Sequence, residues 1–220
     1  MHKAGAFLLL LLLGLPCLLF AQEDSDPDID IWDGYNTDLY TRGDQTFIIS
    51  LGIGFPLAFV STHAGSDGIT SWRAGDLRPN KVEPPIGGTG ALSYSYYFSS
   101  LFFLGGEVSL LFLPTLGDHV VYITSIGVRT GTQFVLGRFE FPISATLGIT
   151  IQTHSALDSE KGYFGFYMKA GASAFFRATH EWSFGLSTNY CWYPQWIKND
   201  PSKNVDGHFI DLLLCARYHF

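Results

Sequence analysis

Charge is scarce in this chain. Asp, Glu, Lys and Arg make up 15% of its 220 residues, against roughly 25% in an ordinary soluble domain. The little charge present is not basic: 13 Lys and Arg stand against 20 Asp and Glu, a net of −7. A nucleic-acid binder normally shows a basic face, so this balance argues against that class. Long apolar runs are missing too. Beyond residue 21 the longest is Leu212 to Ala216, far short of the roughly 18 residues of a membrane-spanning helix. What the chain does hold is 24 glycines, 16% aromatic residues and 47% hydrophobic residues. Glycine weakens helices and aromatics favour strands, so the composition is that of a strand-rich protein.

Residues 1–21 read as a secretory signal peptide. Lys3 supplies the positive start, Phe7 to Leu13 is an unbroken apolar stretch, and Leu19-Phe20-Ala21 precedes the expected cleavage before Gln22. Lipidation at Cys17 is disfavoured by Pro16 before it and Leu18-Leu19-Phe20 after it. Losing Lys3 leaves 12 basic and 20 acidic residues. Eight of the acids (Glu23, Asp24, Asp26, Asp28, Asp30, Asp33, Asp38 and Asp44) face only Arg42 within residues 22–45, whereas 46–220 holds 11 basic and 12 acidic residues. Residues 22–45 are therefore expected to be a solvated acidic segment. Asp26 to Asp30 lacks the glycine and glutamate that a calcium-binding EF-hand loop requires.

From residue 46 onward, apolar residues recur at every second position, the period of a strand with two unlike faces. In 139–152 one face is Phe139, Phe141, Ile143, Ala145, Leu147, Ile149 and Ile151; the other is Glu140, Pro142, Ser144, Thr146, Gly148, Thr150 and Gln152. Residues 163–177 and the segment from Trp182 repeat the pattern. So do segments near 46–59, 86–99, 101–113, 119–134 and 207–220. Eight strands of this length each suffice to cross a bilayer, which takes roughly 9 to 11 tilted residues.

Tight connections at Ser99-Ser100, Val135–Arg138 and Ala178–Glu181 alternate with longer ones at 60–85, 114–118, 153–162 and 194–206. That alternation predicts an all-β, eight-stranded antiparallel up-and-down transmembrane barrel over 46–220, with short turns and both termini in the periplasm. A soluble sandwich or lipocalin-like barrel would need a charged outer face. Here the face opposite the apolar one is mostly Gly, Ser, Thr and single charges, which suits a narrow filled interior. Outward aromatics near both strand ends, such as Phe98, Phe139 and Trp182 at the turns and Phe112, Tyr122 and Trp192 toward the loops, match two interfacial girdles.

The last strand, Gly207 to Phe220, carries Ile210, Leu212, Leu214, Ala216, Tyr218 and Phe220 outward. An alternating final strand closed by phenylalanine resembles the assembly signal of bacterial outer-membrane proteins. The chain is similar, over 46–220, to the small eight-stranded barrels of the OmpW, OmpX and OmpA-membrane-domain type. This resemblance implies the outer membrane of a diderm bacterium, contact with outer-membrane lipids, insertion by the barrel-assembly machinery with Tyr218 and Phe220 as signal, and a monomer. OmpW-type relatives further suggest passage of small apolar solutes through the wall, with the first long loop, Trp72 and Pro79 to Pro85, as a roof. The alternative is a non-conducting surface barrel that stabilises the membrane or acts as an adhesin through its loops.

Inward parity gives the lumen Glu107, Arg129, Glu140, Lys169, Arg177, Asp211 and Arg217. Buried charges must be paired or hydrated. Depth counting matches Glu107 with Arg129, Glu140 with Arg177, and Lys169 with Asp211, so the expectation is a set of charge pairs plugging the interior; the competing reading is a gate. Cys191 and Cys215 are inward on neighbouring strands, but opposing 193 with 207 sets Cys191 against Phe209 and Cys215 against Gly185. The thiols then lie about 20 Å apart, beyond disulfide reach. His63, His119, His154 and His208 have no ligand spacing, so neither a metal nor a cofactor is expected. Thr153-His154-Ser155 is not the His-x-Ser pair of lipid A deacylases, and His154, Asp158 and Ser159 are residue types found in any loop, so no enzyme is expected.

Overall fold

The computed structural model describes residues 40–61, 72–73, 86–114, 120–154, 163–195 and 204–220. The signal peptide with Cys17, the Asp26 to Asp30 stretch, His63, His119, Pro79 to Pro85, Ser155, Asp158 and Ser159 lie outside these residues. The strands are β1 (Gln45–Ser61), β2 (Trp72–Arg73), β3 (Gly87–Tyr97), β4 (Phe102–Pro114), β5 (Val120–Leu136), β6 (Phe139–His154), β7 (Tyr163–Arg177), β8 (Trp182–Gln195) and β9 (Val205–His219). The eight long strands pair antiparallel in chain order, and β9 pairs back onto β1. The result is a closed all-β barrel of eight strands. The two-residue β2, which alternation did not foretell, adds to β1 at Ala58 and Phe59.

Following register partners around the wall from Gln45 leads through Tyr96, Leu104, Thr130, Ala145, Ala170, Tyr190 and Ile210 to Phe55. The circuit returns ten residues further along β1. With ordinary strand rise and spacing, that stagger tilts the strands about 40° from the barrel axis.

The alternation explains both faces. Leu51, Ile126, Ile149, Phe184, Leu186 and Leu214 point outward and are exposed. Such a belt of branched and aromatic side chains is at home in hydrocarbon, and closure gives each of the eight long strands a partner on both sides. Turns gather at the end where β9 finishes. Leu136 still pairs with Phe139, so β5 runs two residues further than alternation indicated. Gly137, at φ 59°, makes this possible, because a two-residue hairpin needs left-handed backbone.

The inward face holds more bulk than expected. Tyr97, Phe103, Tyr167, Phe175, Tyr193 and Phe209 all point inward, each at most 3% exposed. Glycine makes the space. A Cβ on Gly127 would sit 2.7 Å from the Tyr167 hydroxyl, and one on Gly148 2.7 Å from the same ring.

Candidate functional site

The lumen is layered from the turn end to the loop end. At the turn end the chain before β1 enters the barrel. Tyr40 is 4% exposed, its ring 4.3 Å from that of Tyr97, and the Gly43 N–H donates to the Tyr97 carbonyl at 2.9 Å. The Tyr40 hydroxyl donates to Glu140 Oε2 at 2.8 Å. Arg217 Nη1 donates to the same oxygen at 2.7 Å, to Tyr40 at 3.1 Å and to Gln133 Oε1 at 3.0 Å. Glu140 Oε1 accepts from Ser183 at 3.3 Å and faces Arg177 at 3.8 Å. Ser183 and His219 Nε2 lie 2.8 Å apart. Burial pushes the Tyr40 phenol well above its ordinary range, against the opposing pull of Arg217, so it stays a donor. The arginine guanidinium also lies 3.9 Å over the Phe175 ring.

Above this sits a second charged layer. Lys169 Nζ donates to Glu107 Oε1, Arg129 Nε lies 4.0 Å from Glu107 Oε2, and Ser93 donates to that same oxygen at 3.3 Å. Arg129 is also held by Ser144 at 3.3 Å. A cavity of about 20 Å³ adjoins these groups, with Ser50, Phe175 and Cys215 in its wall.

The loop end is apolar. Leu111, Leu113, Val121, Ile123, Tyr167, Cys191, Tyr193 and Phe209 pack as one cluster. Asp211 stands at its border, accepting from the Cys191 thiol at 3.3 Å, with its other oxygen lacking a hydrogen-bond partner.

The structure thus brings Glu107 to Arg129 and Glu140 to Arg177, the pairs that depth counting matched. It joins Lys169 to Glu107 rather than to Asp211, and Arg217 to Glu140. Depth counts hold between neighbours, but the ten-residue stagger shifts levels across the barrel. Cys191 opposes Phe209 and Cys215 opposes Gly185, and both thiols are free. His208 bonds Tyr190 at 2.6 Å on the outer face. Tyr218 and Phe220 stack edge to face at 4.9 Å beside Trp182. Sequence reading passed over Gln133, Ser183 and His219, whose inward parity marks them. It also passed over Tyr40, which no periodicity reaches.

A protein-family model of uncharacterised function matches residues 22–218. The chain belongs to that family. An uncharacterized protein of Treponema pallidum (strain Nichols) is 28% identical over 179 residues, 81% of this chain and 78% of the relative. Neisserial surface protein A superposes with a TM-score of 0.55 at 11% identity, over 81% of this chain and 97% of that one. Ail of Yersinia pestis gives 0.46 at 14% identity, over 82% of this chain and 100% of its own. The fold is that of a small outer-membrane barrel. Its exposed apolar belt makes it an integral membrane barrel of the outer-membrane type.

Proposed function

We propose that this barrel is a non-conducting surface protein, anchoring its loop-side connections outside the cell and stabilising the membrane around it. The observation that carries this reading is the filled lumen. The Tyr40–Glu140–Arg217 network blocks the turn end, Glu107, Arg129 and Lys169 cross the middle, and the apolar cluster fills the loop end. The cavity between them, about 20 Å³, has room for a water or two. In this reading the lumen charges are structural, residues 1–21 are a cleaved leader, and Tyr218 and Phe220 engage the barrel-assembly machinery.

A second reading, passage of small apolar solutes through the wall, has its own support. Pairing of β1 with β3 ends at Gly54 and Gly87, although β1 runs on to Ser61. On the opposite edge of the same stretch, the pairing of β1 with β9 shifts register between Pro56, which has no N–H to donate, and Ala58. Behind that stretch stand Leu111 and Phe209, two residues of the apolar cluster.

Proteoliposome uptake separates the two. The first reading expects neither potassium, nor a small sugar, nor a small aromatic solute to enter faster than into empty vesicles. Entry of the aromatic solute alone supports the second, and entry of all three overturns both.

A further inference from the structure

β1 and β9 come from opposite ends of the chain, so no connection closes their seam in the eight-stranded wall. At the turn end, short connections tie β3 to β4, β5 to β6 and β7 to β8. Strand ends without such a tie fray first. The seam ladder finishes there on a backbone bond from the Phe220 N–H to the Gln45 carbonyl, at 3.0 Å.

Residues 40–44 hold both neighbours of β1 at this end. On the β3 side, the Gly43 N–H donates to the Tyr97 carbonyl and the Tyr97 N–H donates to the Asp44 carbonyl, both at 2.9 Å. On the β9 side, the Tyr40 hydroxyl accepts from Arg217 Nη1 at 3.1 Å and lies 3.3 Å from His219 Nδ1, with the Tyr40 and His219 rings 5.7 Å apart. Local chemistry makes the turn. Gly43 sits at φ 109°, in the left-handed region that favours glycine, and the Asp44 carboxylate accepts from the Thr41 N–H at 2.7 Å. The Tyr40 ring is thereby sent inward onto that of Tyr97. The partners of its hydroxyl, Glu140, Arg217 and His219, belong to β6 and β9, so these contacts form only once the last strand is seated.

We propose that residues 40–44 are a closure clasp, which takes the place of the missing turn at the β1–β9 seam and locks the completed barrel. The clasp stands whether or not the barrel passes solutes, because a route through the wall between β1 and β3 lies at the loop end.

Hydrogen exchange of the protein in lipid vesicles, read segment by segment by mass spectrometry, tests the clasp. Tyr40→Phe keeps the ring and loses a hydroxyl bonded to charged groups. Exchange across 46–50 and 215–219, the turn-end half of the seam, should rise at least about tenfold. Segments 123–128 and 147–152, which pair with each other toward the loop end, should exchange as before. Gly43→Ala works from outside the lumen: its methyl group meets nothing within 4 Å, but alanine resists φ 109°. It should loosen the same seam segments, and either variant serves alone if the other does not fold. Tyr97→Phe is the control. It removes a phenol of the same layer that donates to Gln133 on β5 at 2.9 Å, and should leave the seam no faster than the rest of the wall. A contact made last speeds opening without slowing closure, so Tyr40→Phe should refold at the unsubstituted rate. Unchanged seam exchange in a folded variant, uniform acceleration of the whole wall, or equal seam acceleration by Tyr97→Phe overturns the clasp. Slower refolding overturns its place at the end of assembly.

Discussion

Tyr40 and Glu140 are one hundred residues apart in the chain and 2.8 Å apart in the barrel, hydroxyl to carboxylate. The bond ties the segment before β1 to β6, across the mouth from the strand it precedes. Glu140 is wholly buried and receives Arg217 and Ser183 as well. Tyr40→Phe removes one donor from a buried charge, and should cost about 1.5–3 kcal/mol of stability. Urea unfolding in lipid vesicles, followed by tryptophan fluorescence, measures it.

The middle layer is asymmetric: Glu107 serves two cations. Glu107→Gln leaves Arg129 and Lys169 buried together without their carboxylate, and should cost about 3–5 kcal/mol. Lys169→Met leaves the Glu107–Arg129 pair balanced and should cost at most about 2 kcal/mol. The same unfolding assay compares them, and equal losses would contradict the shared role of Glu107.

Gly127→Ala places a methyl group 2.7 Å from the Tyr167 hydroxyl and 2.5 Å from the Leu147 carbonyl oxygen. Overpacking of this kind costs about 1–3 kcal/mol. Adding Tyr167→Phe should restore part of the loss and not all of it, since the backbone contact remains. The temperature at which the folded band shifts on a gel reads both variants.

The outer belt predicts a depth dependence. Leu51 lies mid-strand on the lipid face, opposite Leu214, whereas Leu136 adjoins a turn. Leu51→Arg should cost about 2–4 kcal/mol and Leu136→Arg at most about 1 kcal/mol, because charge is penalised most at the bilayer midplane. Refolding yield into vesicles, with unfolding midpoints, tests the pair.

The strands were legible because a two-faced wall writes its period directly into the chain: Phe139 to Ile151 outward and Glu140 to Gln152 inward spell out β6 residue by residue. Local pairing was legible too, as Cys191 opposite Phe209 shows, because a hairpin fixes its own register. Contacts across the lumen were not. Lys169 reaches Glu107 on a strand three places away, and the stagger that sets their levels accumulates around the whole circuit. Tyr40 was hidden for another reason. It belongs to no strand, and its neighbours Asp38, Arg42 and Asp44 suggest solvent rather than a buried mouth. The inward rings, Tyr97 and Phe103 among them, were masked by their small polar companions on the same face, which give them room.

The central claim is that the lumen is closed by its own side chains. Planar-bilayer conductance of residues 22–220, refolded and shown to be inserted by gel heat-modifiability, tests it most directly. The account predicts an electrically silent bilayer. Stepwise, sustained conductance from that inserted protein would contradict it.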